Sequence, residues 1–221
     1  MSTIRRIICL ANSRKVSGRC IAGKDVLTGG WIRPVSGRAA GEISEEERRY
    51  EDGTSAQVLD VIDIPITGPA AGGHQAENYF IKPKEYWKRV GTVPETGLGQ
   101  FLDYPEALWK IGDSTLGGLN DRVRIDNSKT PAGSLYLICP KNLTIHVVSE
   151  TMGKIRLRRR VRGSFYYGGV RYNVGVTDPV VEKAFMAKAD GAYPLDAAFV
   201  CVSLSEVFSD GYSYKLVATI I

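Results

Sequence analysis

Apolar positions in this chain recur mainly at every second residue, in short runs closed by glycine, proline and asparagine. That period is the mark of strands with one buried face. In the first third, residues 6–11, 19–23 and 31–35 read as strands separated by Asn12-Ser13, Ser17-Gly18 and Thr28-Gly29-Gly30. Pro34 lacks an amide hydrogen, so the third run is expected at an edge or a bulge. Residues 43–50 suit a short charged helix or loop, and 57–66 a long strand. In the last third, 134–139, 143–149, 154–162, 165–167, 170–177, 199–204 and 212–221 read as strands. Residues 178–188 read as a helix, with Asp178 as N-cap, Pro179 at N1 and Glu182 in the first turn.

The pattern changes in the middle. Residues 68–74 are rich in glycine, alanine and proline, and 117–131 are loop-rich apart from a snippet at 122–125. Between them, Pro83 followed by Tyr86, Trp87 and Val90 predicts a short helix over 80–90, and 105–111 predicts another. The expected organisation is a β domain over 1–72, a partly helical insert or linker over 73–131, and a second β domain over 132–221. Residues 19–34 and 162–179 also echo one another: each is a strand, a glycine turn, an aromatic strand and a terminating proline. A true repeat implies two barrels of one kind, and short strands with one interposed helix suit five-stranded OB barrels. The expected fold is mainly β with minor α: two OB-like β-barrels joined by the partly helical insert. With 43% hydrophobic residues, the chain can build cores for both.

Charge sharpens the picture. The net charge is +5, which favours acidic partners without selecting one. Residues 1–38 hold eight Lys/Arg and one acid, whereas 42–52 hold six acids and two arginines. The densest basic stretch is 154–172, with seven Lys/Arg and no acid. Strand alternation puts Lys154, Arg156, Arg158, Arg160 and Arg162 on one face and Ile155, Leu157 and Val161 on the other. Such a row suits a polyanion; it also suits a solvated edge strand that blocks aggregation by charge. Tyr166, Tyr167, Arg171 and Tyr172 follow at once. Cations beside aromatic rings are what a single-stranded nucleic-acid platform requires. Near the N-terminus the candidate contacts are Arg14, Lys15, Arg19, Lys24, Trp31 and Arg33, with Trp31 and Arg33 alternating about Ile32. The competing reading makes Trp31 a core residue and pairs Arg33 with an acid of 42–52. Lys215, a lone cation in an apolar terminal strand, either snorkels or reaches a ligand groove.

Other chemistries find little support. The four cysteines show no CxxC spacing, so a zinc site is not expected, and their apolar surroundings suit buried thiols. The paired glycines lack a following Lys-Ser/Thr, which excludes a P-loop. Ser36, Ser134 and Ser203 lack a nucleophile elbow. His146 reads as a structural histidine and His74 sits in a segment expected to be flexible. Asp60 and Asp63, or the acids of 42–52, could hold a metal but read more simply as solvated charge. No cofactor is implied. No secretory leader or membrane-length apolar run is visible, which predicts a soluble cytoplasmic protein.

The stretches Cys9-Leu-Ala-Asn-Ser-Arg-Lys15, Gly18-Arg-Cys-Ile-Ala-Gly23 and Gly30-Trp-Ile-Arg-Pro-Val-Ser36 resemble the opening of the prokaryotic dual OB domain family. Tyr172-Asn-Val-Gly-Val-Thr-Asp-Pro179, Ser203-Leu-Ser-Glu-Val-Phe208 and Tyr214-Lys-Leu-Val-Ala-Thr-Ile-Ile221 resemble its later motifs. The resemblance spans nearly the whole chain, with the middle third the least matched. It implies two OB folds, nucleic-acid binding and a sensor role in bacterial defence or conflict systems. It carries Asn12, Ser13, Arg14, Lys15, Arg33 and Lys215 as candidates and no catalytic set. The resulting expectation is a non-catalytic module that binds single-stranded DNA or RNA. The alternative is a regulatory or interaction subunit recognising a small nucleotide or a protein partner; a metal-dependent nuclease using the acids of 42–63 ranks below both.

Overall fold

The computed structural model describes residues 2–70, 72–125, 133–152, 156–197 and 199–221. The chain divides into two compact units: Met1–Leu102 with Ala132–Leu135, and Asp103–Pro131 with Tyr136–Ile221. The chain passes between the units at 102/103, 131/132 and 135/136, and the 73–131 stretch expected as an insert or linker is shared between them.

The first unit contains β1 (Thr3–Lys15), β2 (Gly18–Asp25), β3 (Trp31–Val35), β4 (Asp60–Pro69), β5 (Asn78–Ile81) and β6 (Lys88–Thr92). The strand order is β1-β2-β3-β5-β4-β6, and β1 also pairs with β4. Five strands thus close on themselves in the order 1-2-3-5-4-1, with β6 appended to β4. All pairs are antiparallel except β3 with β5. Closure falls on β1, which pairs with β4 through its first half and with β2 through its second half. It shifts register between Cys9 and Ala11. Gly23 sits against this bend: a Cβ there would lie 2.0 Å from the Ile8 carbonyl oxygen, so only glycine lets the strands approach.

Alternation fills this barrel. Ile62, Ile64 and Ile66 point inward with Ile7, Cys9, Ile21 and Ile32. Full burial of each aliphatic side chain contributes about 1.5–3 kcal/mol. Pro34 is tolerated because β2 pairs with β3 only at Trp31 and Ile32. The helix expected over 80–90 is replaced by β5, a turn and β6. Of its three apolar residues only Trp87 is buried, whereas Tyr86 and Val90 are exposed, so no helical stripe forms. Lys84 takes a left-handed φ of 63°. A short 3-10 helix follows at Glu95–Phe101.

The second unit contains β7 (Arg122–Arg124), β8 (Leu135–Ile138, from Tyr136 onward), β9 (Lys141–Met152), β10 (Arg156–Tyr167), β11 (Val170–Val176), α1 (Pro179–Met186), β12 (Gly191–Pro194), β13 (Val200–Leu204) and β14 (Tyr212–Ile220). The order is β12-β9-β10-β11-β14-β13-β8. This is the plan of the first barrel with the fourth strand split in two. β12 pairs with β9, β13 pairs with β14, and β11 with β14 is the parallel pair. The helix expected over 105–111 is absent: this segment is irregular, and Trp109 stands at φ 56°.

β10 and β11 turn at Gly168 and Gly169, both at positive φ (57° and 76°), as a two-residue hairpin requires. The echoing segments 19–34 and 162–179 fall on equivalent hairpins, β2–β3 and β10–β11. Val161, Phe165, Tyr172, Val174, Val176, Phe185 and Val217 form the core.

α1 begins as expected. Asp178 Oδ1 accepts from Val180 N and Val181 N at 2.9 and 3.2 Å, and its Oδ2 accepts from Ile220 N at 3.1 Å. Arg159 clasps the other end. It donates to the Met186 carbonyl at 3.0 Å and to the Lys188 carbonyl at 2.5 Å, and pairs with Asp190 at 2.9 Å. A cation at a helix C-terminus satisfies carbonyls that have no partner in the helix. Replacing Asp178 with alanine removes both the cap and the tie to β14. The substitution should destabilise the second unit by about 1–3 kcal/mol. Scanning calorimetry should show that unit's transition shifted down and the first unit's unmoved.

Candidate functional site

In the first unit the N-terminal candidates are mostly engaged within the protein. Arg14 and Lys15 stand at the β1–β2 hairpin, opposite Arg19 and Gly18; Arg14 is exposed and Lys15 half-buried. Arg19 pairs with Glu45 at 3.4 Å. Lys24 is 8% exposed, with its ammonium 5.4 Å from the half-buried Trp31 ring. Trp31 lies outside the barrel core.

Arg33 differs most from expectation. It is 2% exposed, pairs with Glu77 at 3.1 Å, and donates to Asn78 Oδ1 and Ser134 Oγ at 3.2 and 2.7 Å. Ser134 in turn donates to Glu77. The partner is thus Glu77, not an acid of 42–52, and the guanidinium is closed to an incoming strand.

Asp60 accepts from Tyr50 Oη and Gln57 N at 2.7 and 2.9 Å, and Asp63 holds Arg6 at 2.6 and 2.8 Å. Among the described residues no group of three or more His, Cys, Asp or Glu converges to hold a metal. His74, expected in a flexible segment, is 4% exposed. Of the cysteines expected to be buried, Cys9 and Cys201 are, Cys20 is half-buried and Cys139 is exposed. Burial pushes the Cys9 thiol up to about 12.

The second unit holds a cavity of about 650 Å³. It is lined by Thr115–Gly117 and Asp121, by Glu150 near the end of β9, and by Arg160 and Arg162 of β10. Gly175 of β11, Ser205 and Phe208 of the β13–β14 connection and Tyr214–Leu216 of β14 complete it. One carboxylate organises one side: Glu150 accepts from Arg162 Nε and pairs with Arg160 Nε at 3.3 Å. Arg162 also reaches Asp121 at 3.4 Å. Asp121 is fixed by the Thr115 amide at 2.7 Å and by the Thr115 hydroxyl at 2.5 Å. Gly117 covers the pair so closely that a Cβ would lie 2.6 Å from Glu150 Oε1.

Lys215 is 2% exposed and donates to the Lys110 carbonyl at 2.7 Å, with its ammonium 5.2 Å from the Tyr172 ring. Three cations, Arg160, Arg162 and Lys215, thus face Asp121 and Glu150, with Asp113 also acting on Lys215. Phe208 and Leu116 are exposed apolar rim residues. Phe208 meets Tyr214 edge-on at 5.2 Å.

The cationic row of β10 is accordingly graded. Lys154 lies outside the described residues, and Arg156 is described only by its place in β10. Arg158 is exposed, Arg160 half-buried and Arg162 buried. Strand alternation does place these three opposite to Val161 and Phe165. Ion pairing takes up Arg162, whereas Arg160 divides between Glu150 and solvent.

Tyr172, expected at a ligand, is fully buried. Its hydroxyl accepts from Leu108 N at 3.0 Å and its ring stacks on Phe165 at 5.6 Å. Tyr167 is half-buried against the core, whereas Tyr166 and Arg171 are exposed. His146 Nε2 lies 2.7 Å from Ser164 Oγ; burial first, and then Arg171, hold the imidazole below its usual range. Sequence reasoning missed Asp121, Glu150, Phe208 and Tyr214. The polar–aromatic alternation of 208–215 was the available signal. The carboxylates gave none, because their partners lie 12 to 41 residues away.

Strand order and the parallel third and fifth strands define a protein of paired OB barrels. The chain belongs to the dual OB-containing domain family, whose model matches residues 5–220. No curated protein and no solved structure matches it.

Burial lowers the Lys215 ammonium to about 8, against the opposing pull of Asp121 and Asp113. Its folded value lies below the unfolded one, so the unfolded chain binds more protons between about pH 8 and the ordinary lysine range. Stability attributable to this group therefore rises with pH across that window. Urea midpoints of the wild type and Lys215→Met, compared at about pH 7.5 and about pH 9.5, should shift in favour of the wild type at the higher pH. A gap that is constant, or that moves the other way, contradicts the assignment.

Proposed function

We propose that the protein is a non-catalytic, single-stranded nucleic-acid-binding module whose second barrel carries the ligand. The observation behind this reading is the cavity beside the β13–β14 connection, where three cations meet an apolar and aromatic rim. OB barrels bind oligonucleotides with the face of strands two and three and the loops joining strands one–two and four–five. β10 and the β13–β14 connection are the counterparts here. Phosphates would meet the exposed Arg158 and half-exposed Arg160, and bases would stack against Phe208 and Tyr214.

The family match supports recognition of an oligonucleotide. A sensor in a bacterial defence or conflict system, working in the cytoplasm, is the role we propose for it. Among the described residues no helix is long and apolar enough to cross a membrane.

The arginines Glu150 already holds favour a modest electrostatic contribution. Anisotropy of a labelled oligonucleotide, measured across salt, tests this. For single strands the logarithmic slope is about −0.7 per phosphate neutralised. The double variant Arg158→Glu, Arg160→Glu should weaken binding to all sequences alike and flatten the slope by roughly 1.4, for two contacts. Affinity indifferent to salt would sink the proposal.

A second reading has its own support. A volume of about 650 Å³ falls within the roughly 300–1,000 Å³ of small-molecule sites, which favours a single nucleotide as ligand. Calorimetric titration with mononucleotides separates the two: mononucleotide affinity equal to that of a long oligonucleotide selects the small-ligand reading.

A further inference from the structure

β7 is an addition to the barrel plan, and it creates a surface distinct from the cavity. It pairs antiparallel with the start of β14, placing Arg124 opposite Tyr212, Val123 opposite Ser213 and Arg122 opposite Tyr214. Residues directly opposite in a sheet share a face. Val123 and Ser213 are buried at 3% and 0% exposure. The other face therefore carries Arg122, Arg124, Tyr212 and Tyr214.

These side chains form a layer. The Arg122 guanidinium lies 4.2 Å from the Tyr212 ring centroid and that of Arg124 5.3 Å. Tyr214, one step of the pleat along, lines the cavity and meets Phe208. Asp210 is the carboxylate of this ribbon: it accepts from Tyr212 N at 3.0 Å and from the Tyr214 hydroxyl. That bond holds Asp210 below the usual carboxylate range and raises the Tyr214 hydroxyl. Two arginines against one carboxylate leave the ribbon positive.

We infer that the β7–β14 ribbon is a second stacking subsite for single-stranded nucleic acid, continuous with the cavity through Tyr214. This rests on the binding function proposed above and extends it. Guanidinium planes and phenol rings both offer flat faces to unpaired bases, and stacking of this kind tolerates any sequence. Charge complementarity selects a polyanion, and the alternation of ring and cation suits one whose flat groups and charges also alternate. A strand occupying the cavity would continue along Tyr214, Tyr212 and Arg124, so the ribbon adds footprint length rather than base specificity.

Length dependence tests this. Binding of a four-nucleotide and a twelve-nucleotide oligothymidylate is compared for the wild type, Tyr212→Ala, Tyr212→Phe and Arg124→Gln, with thermal midpoints as folding controls. The wild type should bind the longer strand more tightly. Tyr212→Ala should lower affinity for the longer strand by roughly 5- to 140-fold, the range of one lost stacked base, and leave the shorter one unchanged. Tyr212→Phe should retain the length advantage. Arg124→Gln changes an exposed side chain, so it reports even where the alanine variant unfolds, and it too should reduce the advantage. Photo-crosslinking of a bromouracil-substituted twelve-mer should label the peptide containing Tyr212.

A length advantage intact in both Tyr212→Ala and Arg124→Gln overturns the ribbon while leaving the cavity reading standing. Loss in Arg124→Gln alone, with Tyr212→Ala folded and unaffected, overturns stacking in favour of a phosphate contact. A wild type that binds neither oligonucleotide overturns the parent function and this extension together.

Discussion

The carboxylate of Glu150, set between two guanidiniums, governs what the second barrel can present. It engages Arg162 and Arg160 together, and Asp121 holds Arg162 from a different part of the chain. Removing one partner of a buried charged pair commonly costs about 3–5 kcal/mol, because the remaining charge is left unsatisfied. Arg162 therefore belongs to the architecture of the cavity and is poorly placed to dissociate toward a ligand. The grading along β10 follows from this. Charge becomes available to solvent only as the strand leaves Glu150 and Asp121 behind.

The two barrels show how one plan supports different surfaces. Both follow the order 1-2-3-5-4 with parallel third and fifth strands; the first closes through β1 and β4, and in the second β13 and β12 share the fourth place. In the first, Arg33 on the third strand is sealed by Glu77, Asn78 and Ser134. In the second, the third and fifth strands pair only at Gly175–Leu216 and Val176–Val217. The segment before the barrel borders both strands ahead of that point: Leu119 bridges to Asn173, and β7 runs along β14. The cavity and the ribbon both arise there, so the less regular barrel carries the more open chemistry.

Period-two alternation and turn residues made most strands legible, and Asp178-Pro179 announced α1. The echo of 19–34 in 162–179 pointed to equivalent hairpins because the strand–turn–strand pattern is local. Other features were out of reach for a common reason. Tyr172 and Arg33 looked available because an isolated strand does not reveal what covers its outer face. Glu77 and Ser134, which cover Arg33, lie 44 and 101 residues further on. The helix expected over 80–90 failed where tertiary packing selected Trp87 alone from an apparently amphipathic run. Residues 122–125 stood apart from the loop-rich stretch around them only as a snippet, because three residues give too little pattern until β14 supplies the partner.

The assignment of Ala132–Leu135 to the first unit has a consequence for dissecting the molecule. The polypeptide passes between its two bodies three times, so no single cut yields two intact halves. A fragment ending at Leu102 would retain Arg33 and Glu77 but lose the Ser134 hydroxyl that joins them. The complementary fragment would begin with the elements that frame the cavity and would carry an orphaned piece of its neighbour.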